Sequence, residues 1–103
     1  PRPDILILDE PCAGLDPAAR DHLLKDLAGL AGEPEAPTIL MVTHHIEEIA
    51  PWIARVLVLK AGSPLASGSP GDVLTSACLS DAFDWNCKVR QTHTHYTLSP
   101  ASS

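Results

Sequence analysis

Aromatic side chains are scarce in this 103-residue chain, which has one Phe, one Tyr and two Trp, so its core has to be aliphatic. Positive charge is short as well. Seven Lys and Arg stand against 13 Asp and Glu, a formal net charge of -6, which argues against a nucleic-acid binder held by phosphate contacts. There are only three cysteines, Cys12, Cys78 and Cys87. An odd number without close spacing excludes a zinc or dithiol redox motif and fits free thiols in a reducing cytoplasm. No stretch approaches the roughly 18 consecutive apolar residues of a membrane span, and no charged-then-apolar leader opens the sequence. Pro1 stands where an initiator Met would, and the apolar run Ile5 to Leu8 follows almost at once. The chain is therefore expected to begin inside a longer one.

What is present suits a small soluble domain, with 45% hydrophobic and 19% charged residues. At this length only about 60–65% of the unfolded surface is buried on folding, so stability is expected to be marginal. Ile5-Leu6-Ile7-Leu8 is a continuous apolar run, the pattern of a short parallel strand covered on both faces. Asp16-Pro17 predicts an N-cap followed by Pro at the first helical position. Leu23, Leu27 and Leu30 then recur at helical spacing as a core-facing stripe, and Pro34 and Pro37 end the helix by Gly32. Thr38 to Val42 is a second apolar strand, so strand, helix and strand form a βαβ unit.

Beyond it, Pro51 breaks the short stripe of Ile46, Ile49 and Ile53 near Ala50. Arg55 to Lys60 and Leu65 to Ser67 form a hairpin around Ala61-Gly62-Ser63-Pro64. Ser69-Pro70 opens a helix that runs, with a break, towards Phe83. Residues 87–98 alternate loosely and are expected to form one weak edge strand. The final Ser/Pro/Ala stretch, 99–103, is expected to lack order.

Leu8-Asp9-Glu10-Pro11 sets two adjacent carboxylates at the carboxyl end of a buried strand, where open α/β sheets bind ligands. Neighbouring strand residues point opposite ways, so one acid can hold a hard cation and the other can face a water nucleophile. A solvated loop start is the other reading of such a pair. The second strand ends in Thr43-His44, and parallel neighbours bring both carboxyl ends to one edge of the sheet.

At this point the sequence resembles the ATP-binding cassette (ABC) ATPases. Ile5-Leu6-Ile7-Leu8-Asp9-Glu10-Pro11 is similar to the family's Walker B motif with its catalytic glutamate. Ala13-Gly14-Leu15-Asp16 is similar to the D-loop, with Ala13 where Ser or Thr is common. Val42-Thr43-His44 is similar to the H-loop, with His45 where many members have Asp. The resemblance covers about residues 1–84 and leans towards the molybdate-type or uncharacterised ABC branch. It implies an α/β, partial P-loop NTPase fold with parallel strands, flanking helices, a C-terminal hairpin and short helices. Residues 1–84 would be the C-terminal part of a nucleotide-binding domain and 85–103 a C-terminal extension.

By the same resemblance, Asp9 would hold Mg2+ through water, Glu10 would polarise the attacking water and His44 would contact the γ-phosphate. Asp16 would lie at the interface with a second cassette. The implied partners are that second cassette and a membrane permease subunit, with the protein cytoplasmic or peripheral at the inner face of the plasma membrane. The sequence has no Gly-rich loop ending in Lys-Ser or Lys-Thr, and no Leu-Ser-Gly-Gly signature. ATP and Mg2+ are therefore expected only with an N-terminal half that supplies them. Alone, the chain is expected to aggregate through unpaired strand edges.

Other residues carry plainer expectations. His45, Glu47 and Glu48 suit a solvated helix start, where acids favour the helix dipole. Cys12 suits a small loop residue. Cys87, His93 and His95 lack the companion pair a metal site needs. Two alternatives to the ATPase reading are a truncated cassette docking through the Asp16 region and a phosphotransfer receiver. The receiver needs a phosphate-neutralising lysine, for which Lys60 is the candidate.

Overall fold

A computed structural model describes residues 4–93 and 95–101. The last two residues of the Ser/Pro/Ala end, 102 and 103, lie outside the described residues. The chain divides into two compact units, Pro1–Trp52 and Ile53–Ser103.

In the first unit, β1 (Ile5–Asp9), α1 (Pro17–Ala31) and β2 (Thr38–Val42) follow the expected order, and a 3-10 turn over Ile46–Glu48 closes it. β1 and β2 pair in parallel, in register from Ile5 opposite Thr38 to Asp9 opposite Val42. The shared register brings both strand tips level. Leu6, Leu8, Ile39 and Met41 are half-buried, whereas Ile5, Ile7, Leu40 and Val42 are 46–63% exposed. The expectation that β1 is covered on both faces is thus corrected: side chains alternate across a strand, and this two-stranded sheet is covered on one face only.

Helix α1 begins as its sequence dictates. Asp16 is extended at the N-cap, its carboxylate accepts the Ala19 amide at 2.8 Å, and Pro17 opens the first turn. Leu27 is buried and Leu23, Leu24 and Leu30 are half-buried, while Asp21, His22, Lys25 and Asp26 are exposed. Asp16→Ala is expected to lower stability by about 1 kcal/mol through loss of the cap, read from urea denaturation. No change in midpoint would show that the cap contributes nothing.

In the second unit, β3 (Val56–Lys60) and β4 (Ser63–Gly68) form an antiparallel hairpin. Its two-residue loop, Ala61-Gly62, has φ of 51° and 78°, the left-handed pair that a tight hairpin turn requires. The helix expected after Ser69-Pro70 is two short ones, α2 (Pro70–Val73) and α3 (Ser76–Phe83). Ser69 caps the first and Thr75 the second.

The single strand expected over 87–98 is instead two, β5 (Cys87–Gln91) and β6 (Tyr96–Pro100), paired antiparallel. β6 runs into the stretch expected to lack order. α3 packs on β5, where Ser80 Oγ accepts the Cys87 amide at 3.0 Å and donates to the Cys87 carbonyl at 3.1 Å. Ser76 Oγ likewise accepts the Val89 amide at 2.9 Å. Val73, Leu74, Leu79, Cys87 and Tyr96 are the buried apolar residues of this unit.

Candidate functional site

The tips of β1 and β2 build the site in the first unit. The ladder continues one residue past β1, with the Glu10 amide donating to the Val42 carbonyl at 2.8 Å. Glu10 then turns sharply, with φ of 49°, a conformation that an L-residue other than glycine enters at a cost. The Ala13 amide donates to the Glu10 carbonyl at 3.1 Å and the Leu15 amide to the Cys12 carbonyl at 3.1 Å, so the loop folds on itself before Asp16 caps α1. The turn lifts the Glu10 carboxylate away from the strand's alternation.

At the tip of β2, the hydroxyl of Thr43 donates to Glu48 Oε1 at 2.8 Å and accepts the His45 amide at 3.0 Å. His44 then meets Glu10: its Nδ1 is hydrogen-bonded to Glu10 Oε1. These residues are 34 positions apart, and level strand tips bring them together. The Glu10 side chain is 27% exposed and that of His44 79%, so the carboxylate is the fixed partner and the ring faces solvent. With the proton on Nδ1 shared with the carboxylate, Nε2 and the second carboxylate oxygen are left for other partners.

Asp9, one residue earlier, is exposed, and no hydrogen bond or ion pair engages its carboxylate among the described residues. Asp16 does not join the pair; its side chain is spent on the α1 cap. Of the four residues singled out in the sequence, two are hydrogen-bonded to each other, one flanks them and one begins the next helix.

Two further residues stand behind the pair. Glu48 is 3% exposed, which corrects the expectation of a solvated helix start: the 3-10 turn is too short to carry 48 outward and instead folds it under the β2 tip. Cys12 is 6% exposed rather than a simple loop filler. Burial pushes the Cys12 thiol up from its ordinary range, the nearby charge of Glu48 adds to this, and Arg20 opposes it. A signal for Glu48 was its place just after the β2 tip, but that position alone does not distinguish buried from solvated.

Among the described residues no group of three or more His, Cys, Asp or Glu gathers as a metal cage. Magnesium does not require one, since it is commonly held by one or two carboxylates with waters and substrate phosphates. The unengaged oxygens of Asp9 fit that role.

In the second unit, Lys60 Nζ is bonded to Asp81 at 2.8 Å and Asp84 at 3.0 Å. These partners hold its ammonium above the usual lysine range, so the lysine that a receiver would need is already engaged. A cleft of about 800 Å3 lined by Ser76, Ser80, Asn86, Lys88 and Arg90, among others, lies between α3 and the β5–β6 hairpin and includes none of the candidate site residues.

No protein-family model matches the chain. It is 48% identical over 82 residues to the uncharacterized ABC transporter ATP-binding protein YlmA of Bacillus subtilis, covering 80% of this chain and 31% of that one. It is 33% identical over 101 residues to the uncharacterized ABC transporter ATP-binding protein YmeB of Lactococcus lactis, covering 98% and 39%. It is 44% identical over 71 residues to the energy-coupling factor transporter ATP-binding protein EcfA2 of Clostridium tetani, covering 69% and 24%. The chain thus spans between about a quarter and two-fifths of the length of these relatives. Among solved structures it is similar to the inward-facing conformation of an ABC transporter assigned to the metal-chelate type, with a TM-score of 0.79 and 25% identity over 95% of this chain and 41% of that one.

Proposed function

We propose, since this chain belongs to the ABC ATPase family and corresponds to the C-terminal part of longer ATP-binding proteins, that it supplies the water-activating and phosphate-sensing side of an ATP-hydrolysing site. The observation that carries this reading is the hydrogen bond between Glu10 and His44. A carboxylate and an imidazole fixed to each other at one sheet edge form half of what phosphoryl transfer needs, because that reaction is catalysed mainly by positioning and charge neutralisation.

Glu10 acts as the base that orients water. One of its oxygens holds His44 Nδ1, and the other accepts a proton of the water attacking in line with the γ-phosphate. With both ring nitrogens carrying protons, His44 donates Nε2–H to a γ-phosphate oxygen and Nδ1–H to the Glu10 carboxylate, which holds the ring as a histidine is commonly held by a second-layer acid. Asp9 would hold magnesium through water, and the metal, when bound, supplies charge neutralisation on the phosphates. Asp16, beyond its cap, lies at the surface that a second cassette would cover.

In this reading, residues 1–84 carry the cassette portion and 85–103 are a C-terminal extension, which the Lactococcus relative, matched over 98% of the chain, shares. The partners are a P-loop-bearing segment, a second cassette and a membrane permease subunit, and the protein works at the cytoplasmic face of the membrane. No helix among the described residues is long and apolar enough to cross a membrane.

The test mixes the 103-residue chain with a polypeptide carrying the P-loop and signature portion of an ABC ATP-binding protein and follows phosphate release from Mg-ATP. Hydrolysis is expected from the mixture and not from either part. His44→Ala is expected to lower turnover roughly a hundredfold, the scale of losing one aligned transition-state donor. Turnover within threefold of the unsubstituted mixture would remove His44 from the proposed site.

A further inference from the structure

Glu48 is the only charged residue among the buried ones described, and the chemistry above leaves it without a task. A buried carboxylate without a cation is costly unless hydrogen bonds satisfy it. Glu48 has its donor at the tip of β2. Thr43, the residue before His44, gives its hydroxyl at 2.8 Å. Thr43 in turn holds the His45 amide at 3.0 Å. The backbone on both sides of His44 is therefore tied, through the Thr43 hydroxyl, to one buried side chain.

We infer that Glu48 is a positioning residue: its buried carboxylate holds the Thr43 hydroxyl, fixes the loop after β2 and thereby holds His44 against Glu10. The inference rests on the proposed function only for its catalytic consequence. The geometric claim stands or falls alone.

Two features of the site make such a fastening necessary. The His44 side chain is 79% exposed, so its own packing does not fix the ring. Glu10 is held at φ 49°, which its surroundings must impose because an L-residue does not favour it. Position matters here because a misplacement on the order of 1 Å at a reacting group can reduce rate by about a hundredfold.

The experiment uses Thr43→Val, which removes the hydroxyl at nearly constant volume, Thr43→Ser, which restores it, and Glu48→Gln. In the dilute, histidine-labelled 103-residue chain, NMR through-space transfer between the His44 ring and the Glu10 side chain reports their contact. Amide signals of α1 and of the β1–β2 pair report that the first unit stays folded. The contact is expected to be lost in Thr43→Val and kept in Thr43→Ser and in Glu48→Gln, whose amide oxygen still accepts from Thr43. Contact at unsubstituted intensity in a folded Thr43→Val chain overturns the inference. If Glu48→Gln does not fold, the Val and Ser pair still decides.

In the complemented hydrolysis assay, Thr43→Val is expected to lower kcat roughly tenfold or more with KM for ATP within twofold, and Thr43→Ser to recover it. A rise in KM alone overturns the positioning role. If the complemented protein hydrolyses no ATP at all, the proposed function fails and the NMR result still judges Glu48.

Discussion

Glu10→Gln is expected to lower ATP turnover by the complemented protein at least about a hundredfold, with nucleotide affinity within about twofold. The substitution is chosen because it changes little else. Glutamine has nearly the same shape, and its side-chain carbonyl still accepts from His44 Nδ1, the bond seen for Oε1. The turn at φ 49° is as available to glutamine as to glutamate. What disappears is the negative charge and proton affinity of the second oxygen, which the proposed mechanism uses on the attacking water. The loss should therefore fall on kcat, as expected for an interaction made in the transition state. Steady-state hydrolysis alongside equilibrium binding of a fluorescent ATP analogue separates the two effects. Turnover within threefold of the unsubstituted protein would leave Glu10 as a structural partner of His44 and nothing more.

The largest effect on stability is expected in the second unit, at Leu79. It is 2% exposed and sits on α3 between Ser76 and Ser80, whose hydroxyls hold the backbone of β5. Those bonds fix α3 on the strand, so the helix has little freedom to sink into a vacated space. A site that does not collapse retains the cavity, and the cost of leucine to alanine then approaches the upper part of the range of roughly 2–5 kcal/mol. A unit of this size has few other buried apolar residues to compensate. Leu79→Ala is accordingly expected to lower the melting temperature by about 8 °C or more, measured by circular dichroism. A drop under about 3 °C would mean that α3 does collapse and that the serine bonds are not restraining it.

The parts of the fold legible in the sequence are those with local punctuation. Asp16-Pro17, Ser69-Pro70 and the two apolar runs of the first unit each state their structure in adjacent residues, and each element lies within a residue or two of its expected bounds. The β5–β6 hairpin was not legible. Its connection, 92–95, has no glycine or asparagine, the usual mark of a tight turn. The turn is closed instead by the Thr92 amide and hydroxyl on the His95 carbonyl, at 2.8 and 3.0 Å, a device with no distinctive spelling.

The site divides in the same way. Glu10 and His44 could be paired from sequence because two parallel strands of equal length must end together. Glu48 could not, because a run of His-Ile-Glu-Glu-Ile reads equally as a solvated helix; only the shortness of the 3-10 turn turns its last acid inward.

The left-handed backbone at Glu10 carries an evolutionary consequence. Glycine or asparagine would occupy that bend with less strain, so a screen rewarding thermal robustness alone would draw the position towards them. A screen rewarding hydrolysis would draw it back to the acid. Residue 10 is thus a single coordinate on which resilience and turnover compete, and the amino acid retained there records which of the two was selected.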